Sequence, residues 1–211
     1  MAYAIADYEA QTAALLKDAA YTTWTTDELD YALAHALQQY SNHFPYRQHK
    51  TAVLTTSARF YDLTAAPFSL TNILSVEQVA YPYVSDEASG PLIPFDLRGL
   101  TLVVLTTSLP DIGDSMYIDY CTIHTINGLE AATATTIPDP HAHLLTLGAA
   151  GYAAYAKANS IAREFNWPPA AARELKDWGT TLLKAFHAGL ADVAPASCWA
   201  SWASLPNLED L

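Results

Sequence analysis

Residues 137–165, IPDPHAHLLTLGAAGYAAYAKANSIAREF, decide how the rest of the chain is read. Asp139 can cap a helix whose first residue is Pro140, where a missing N–H is tolerated. From Leu144 to Ala156 almost nothing is polar. Gly148, Gly151, Tyr155, Ala158, Ala162 and Phe165 recur at helical spacing, and the residues between them, Leu145, Ala149, Tyr152 and Ala156, are apolar as well. A helix apolar on every side is expected to be buried on every side. Its small residues allow a close approach of neighbouring backbones, although glycine costs about 1 kcal/mol against alanine inside a helix. Packing against other subunits is one way to cover such a helix. The segment is too short and too polar downstream to span a membrane, which needs about 20 mostly apolar residues.

The other helices are easier to read. Residues 5–20 predict a short helix with Ile5, Tyr8, Ala13, Leu15 and Leu16 on its apolar side. Thr25 and Glu28 fit a capping box, and Asp27, Glu28 and Asp30 suit the positive end of the helix that follows. Its apolar stripe is Leu29, Ala32, Leu33, Ala36, Leu37 and Tyr40, with Pro45 beyond its end. A last helix runs from about Ala170 to Leu190 after Trp167-Pro168-Pro169, with Leu175, Trp178, Leu182, Phe186 and Leu190 inward.

Between them, from about Thr51, the period changes to two. TAVLTTSARFYDL, NILSVEQVAYPYV, PLIPFDL, LTLVVL and SMYIDYCTIHTI are short and rich in β-branched and aromatic residues. Met116, Ile118 and Tyr120 alternate with Tyr117, Asp119 and Cys121, as in a half-buried antiparallel strand. Residues 86–91 (DEASGP) and 111–114 (DIGD) read as hairpin turns. The fold class expected is α+β: a helical bundle built from the N- and C-terminal helices, with an inserted antiparallel β barrel or sandwich. The boundaries are 1–50 for the N-terminal helices, 51–136 for the β domain, 137–192 for the C-terminal helices and 193–211 for a tail.

That tail, ending DVAPASCWASWASLPNLEDL, carries Trp199, Trp202, Leu205, Leu208 and Leu211. Tails without a fixed partner are poor in aromatics. The segment either folds back on its own chain or docks into a groove on a partner with the tryptophans as anchors, and docking is the reading preferred.

Composition narrows the functional classes. The chain has 211 residues, of which 51% are hydrophobic and only 15% charged. A surface short of charge is often one that is covered by partners. A net charge of −12 opposes direct binding of nucleic acid, whose phosphates need Lys and Arg, but does not exclude a protein that surrounds DNA and repels it. Residues 51–139 hold ten acids and two bases, a balance of −8. The N-terminus MAYAIADYEAQ lacks a basic leader, which with two distant cysteines, Cys121 and Cys198, suggests free thiols in a reducing cytoplasm.

No phosphate loop, dinucleotide fingerprint or nucleophile elbow occurs. His141 and His143, preceded by Asp139, lie two apart and so point to different sides of a helix. His35, His43 and His49 need no ligand to explain them. Cys121 and His124, three apart on a strand, face opposite sides. Asp111, Asp114 and Asp119 lack the spacing of a calcium loop. No catalytic, cofactor or metal site is expected, and a small hydrolase is the least favoured class.

The order of parts resembles a known family. WTTDELDYALAHALQQYS is followed by RFYDL, VEQVAYP and GDSMYIDYCTIH, then by GLEAATATTIPDP and LLTLGAAGYAAYA. This is similar to the adaptor (head–tail connector, or head-completion) proteins of tailed bacteriophages, in particular those with a β domain inserted into the helical core. The resemblance implies a non-enzymatic virion protein of the neck, assembled in the bacterial host cytoplasm. It implies a ring, typically of about twelve copies, below the portal protein, extending the DNA channel toward a stopper or tail-completion protein. DNA would pass through the lumen unbound. Trp199, Trp202, Leu205 and Leu208 would dock on the portal, while Gly148, Gly151 and Tyr155 would serve close helix or subunit packing. The alternative is an oligomeric carbohydrate- or protein-binding module of a virion, for which exposed Tyr81 and Tyr83 on the β domain are candidates.

Overall fold

A computed structural model describes residues 3–84, 90–162 and 169–193. Among these the chain is α+β, with four helices and two three-stranded antiparallel sheets. The described residues up to Phe44 and from His124 onward form one unit, and Pro45–Ile123 form a second.

In the first unit, helix α1 covers Ile5–Leu15, shorter than the 5–20 expected. Lys17 adopts a left-handed φ of 55°, and the Asp18 carboxylate then accepts the backbone N–H groups of Thr22, Thr23 and Trp24. Those three bonds hold the chain in a turn that a continuing helix could not supply. Helix α2 (Thr26–His43) starts at the expected capping box: the Thr25 N–H donates to Glu28 Oε2 at 2.8 Å and the Glu28 N–H to Thr25 Oγ1 at 3.3 Å. Its buried face includes all six residues of the sequence stripe, Leu29 through Tyr40.

Helix α3 (Ala142–Ile161) is preceded by a 3-10 turn over Asp139–His141, so the helix proper begins later than Asp139 suggested, and neither element has a side-chain cap. Helix α4 spans Pro169–Val193 and thus takes in the first residue of the expected tail. One core cluster joins Tyr8 of α1, Leu33 and Tyr40 of α2, Leu145 of α3 and Phe186 of α4. A second gathers Trp24, Leu29, Ala150 and Ala154, with Leu175, Trp178 and Leu182 packed against it. Helix α3 is therefore covered from Ala142 to Ala154 by α1, α2 and α4 of its own chain. No other subunit is needed to explain that apolar run.

The second unit contains β1 (Tyr46–Val53), β2 (Phe60–Asp62), β3 (Ile73–Ala80), β4 (Phe95–Arg98), β5 (Thr101–Val104) and β6 (Ser115–Thr122). The sheets have orders β1-β6-β3 and β2-β5-β4. A shared core takes Ala52, Val79, Met116 and Ile118 from the first sheet and Tyr61, Leu102 and Val104 from the second. Among the described residues the two sheets do not close into a barrel. An isolated bridge between Ala80 and Leu92 reaches toward β4 and goes no further.

Two boundaries also move. The β unit starts before residue 51 because polar YRQHK, which carries no alternating apolar signal, pairs along β6 from Tyr46↔Thr122. It ends before residue 136 because the following stretch bonds to the helical unit. The His124 N–H donates to Ser41 Oγ at 3.0 Å and the Ile5 N–H to the Asn127 carbonyl at 2.9 Å. Residues 111–114 are not a hairpin turn, since β5 and β6 lie in different sheets; they carry the chain from one sheet to the other. The tight hairpin is instead at Gly99-Leu100, where Gly99 has φ +62°. Residues 86–89 of the other expected turn lie outside the described residues.

Candidate functional site

The glycines of α3 sit where two helix backbones approach. A Cβ on Gly148 would stand 3.0 Å from the Phe186 ring and 3.1 Å from Ala36 Cβ. A Cβ on Gly151 would meet Leu183 Cδ2 at 2.9 Å and the Leu183 backbone nitrogen at 3.1 Å. Gly179 answers from α4, its missing Cβ 3.0 Å from the Tyr155 nitrogen and 3.1 Å from the Gly151 carbonyl. Close helix packing at Gly148 and Gly151 is thus within the chain. The sequence reading did not single out Gly179 or Gly189, although both lie on the α4 face that holds Phe186. Tyr155 departs from the interior run: it is 37% exposed and lies under Lys176 Nζ, 5.4 Å from the ring centroid. Trp199, Trp202, Leu205 and Leu208 lie outside the described residues.

Beside Tyr155, α2 and α3 flank a groove of about 460 Å³. It is lined by rings (Trp24, Tyr31, His35, Tyr152 and Tyr155), by alanines (Ala32, Ala153 and Ala156) and by the polar side chains of Asp27, Glu28, Lys157, Asn159 and Ser160. The Trp24 indole N–H donates to the Ala153 carbonyl at 3.3 Å, which fixes one wall. Lys157 pairs with Glu28 across the rim at 3.4 Å. The part lined by rings and alanines accommodates apolar groups.

Between α1 and α2 the chain holds two carboxyl groups together. Burial, and then a hydrogen bond with Asp30, push the Glu9 carboxyl up to about 7. Asp18 is displaced the other way, well below the carboxylate range, first by the Thr22 hydroxyl and then by the N–H groups it accepts. The imidazole of His124 is pushed down to about 4 by burial.

On the β unit, the rings of His49, Tyr117 and Tyr83 form a row. His49 stacks on Tyr117 at 5.7 Å and Tyr83 on Tyr117 at 4.9 Å. Next to it a cavity of about 150 Å³ is lined by Tyr83, Tyr117, Gln78, Ala80, Leu92 and Asp119, with Gly90 beside them. Tyr83 therefore contributes to a concave patch. Tyr81 does not: its hydroxyl donates to Asp114 Oδ2 at 2.8 Å and accepts the Asp111 N–H at 2.6 Å, pinning the 111–114 connection. Tyr117 and Gln78 were missed, and Asp119 was weighed only as a cation ligand, because strand alternation shows a face but not which cross-strand neighbours meet on it.

The remaining candidates do not converge. His141 Nδ1 is 2.6 Å from the Tyr40 hydroxyl, and His143 Nδ1 is 2.9 Å from the Pro140 carbonyl. Among the described residues no group of three His, Cys, Asp or Glu side chains could hold a metal ion, and no helix is long and apolar enough to cross a membrane. Cys121 is a buried free thiol; it donates to Glu77 at 3.1 Å, and burial raises it to about 11. A thiol held so far into its protonated form is a poor nucleophile. The sequence matches no protein-family model and no curated protein.

Proposed function

We propose that this chain is a structural connector of a tailed-phage neck, an adaptor that works by binding other proteins and not by catalysis. In this reading its helical unit is an adaptor bundle that stands in a ring of copies beneath the portal protein, continues the DNA channel and offers a surface to a stopper or tail-completion protein. The β unit is the inserted domain. The observation that carries the reading is the order of the chain. The helices before and after residues 45–123 share one core around α3, and residues 45–123 form a separate unit in the order of the chain. The net charge of −12 supports a lumen that lets DNA slide by repelling its phosphates. Trp199, Trp202, Leu205 and Leu208 are the proposed portal anchors, since aromatic anchors dominate the energetics of such contacts.

The test is native mass measurement of the full chain, alone and mixed with the portal protein encoded in the same genome. A ring formed with the portal is expected, and a chain ending at Val193 should keep its melting temperature but lose portal binding. A stable oligomer that ignores the portal would refute the connector reading. Unfolding of the shortened chain would refute the docking role of the tail.

A further inference from the structure

The cavity on the outer face of the β1-β6-β3 sheet combines features that point to one kind of ligand. The Tyr117 hydroxyl donates to Asp119 Oδ1 at 2.6 Å, which orients the carboxylate and, among the described residues, leaves Oδ2 as an acceptor. The register puts His49 and Gln78 across from Asp119, with no Lys or Arg opposite it on either neighbouring strand. Tyr83, Tyr117 and Leu92 complete the lining; Tyr117 is stacked between His49 and Tyr83, so the ring face left to a ligand is that of Tyr83. The unit itself is acidic, with eight carboxylates and four Lys or Arg over residues 45–123.

We infer that this cavity receives the guanidinium group of an arginine side chain from a partner protein, with Asp119 as its counter-ion and Tyr83 as its stacking surface. A planar guanidinium is weakly hydrated, stacks on aromatic rings and forks onto a carboxylate. A lysine ammonium is more strongly hydrated and cannot match that geometry. A volume of about 150 Å³ suits the end of one side chain and excludes a nucleotide. The Gln78 amide oxygen supplies a further acceptor for the N–H groups that Asp119 does not reach. The site therefore gives the β unit a specific docking point of its own.

The probe is N-acetyl-arginine methylamide, titrated at low salt into the full-length, isotope-labelled protein and followed by two-dimensional NMR. Saturable shifts confined to Tyr83, Tyr117, Gln78 and Leu92 are expected, with a dissociation constant on the order of millimolar for one isolated side chain. Asp119→Asn, which preserves shape and can still accept the Tyr117 hydroxyl, should weaken binding about tenfold or more, and Tyr83→Leu should weaken it severalfold. The lysine analogue should bind less tightly than the arginine one. Unchanged binding to the Asp119→Asn protein would overturn the inference. So would shifts scattered away from the cavity, or saturation of the same signals by a methyl pyranoside in preference to the arginine probe. The last result would assign the site to a sugar.

Discussion

The contact between α3 and α4 can be tested by adding one methyl group at either of two glycines. At Gly179 an added Cβ would lie 3.0 Å from the Tyr155 backbone nitrogen, 3.1 Å from the Gly151 carbonyl oxygen and 3.2 Å from Ala154 Cβ. Carbon contacts relax at about 3.5–4.0 Å, and backbone atoms of a helix cannot rotate away, so the two helices must separate by several tenths of an ångström. Overpacking of this kind costs about 1–3 kcal/mol. Alanine returns about 1 kcal/mol through helix propensity, so Gly179→Ala should lose about 1 kcal/mol net. For a chain of this size that is a melting temperature about 2–4 °C lower. Gly189→Ala is the matched control. Its Cβ would first meet Leu144 Cδ1 at 2.5 Å, but that atom ends a flexible side chain, so the propensity gain should equal or exceed the cost. Thermal melts followed by circular dichroism should thus place Gly179→Ala below wild type and Gly189→Ala at or above it. A Gly179→Ala protein that melts with or above wild type would refute the idea that backbone contact sets the spacing of these helices. Gly151→Leu, which adds a larger group against Leu183, should be more damaging than Gly179→Ala.

Two other expectations rest on single groups. Glu9 keeps its proton up to about pH 7 in the folded protein, whereas the unfolded chain loses it near the ordinary carboxylate value. The folded state then binds more protons between the two values, so the contribution is full below the unfolded value and is lost as pH rises through about 7. Urea midpoints should fall as pH rises from about 4.5 to about 7, the range over which the folded state holds the extra proton, and Glu9→Gln should remove that contribution. His124, pushed down to about 4, makes stability fall as pH drops over the same range, so the difference between wild type and Glu9→Gln isolates the Glu9 contribution; that of Asp18 is lost only at lower pH still. Tyr81→Phe removes the acceptor for the Asp111 N–H and the donor to Asp114. It should cost about 1 kcal/mol and speed hydrogen exchange at Asp111; unchanged exchange there would show that the hydroxyl does not hold the connection.

Sequence alone settled the elements whose cause is local. The Thr25–Glu28 box needs only four consecutive residues, and the α2 stripe needs only a 3.6-residue period, so both were legible. The inward face of β6, Met116, Ile118 and Tyr120, follows from alternation along one strand. Pattern failed where the cause is a distant partner. β1 was clipped because its polar YRQHK is a strand only by virtue of its ladder with β6, and α1 was overextended because Asp18 captures the N–H groups of residues 22–24. Residues 111–114 looked like a hairpin turn because a local sequence cannot say that β5 and β6 belong to different sheets. The apolar run of α3 announced burial on every side, yet whether its cover was another subunit or the rest of the chain depended on long-range packing. Tertiary structure decided that Gly179 and Leu183 of α4 take that place. It also decided that Tyr83, Tyr117, Gln78 and Asp119 share one cavity. Side-chain period fixes which way a residue points, while strand order and register alone fix what it points at.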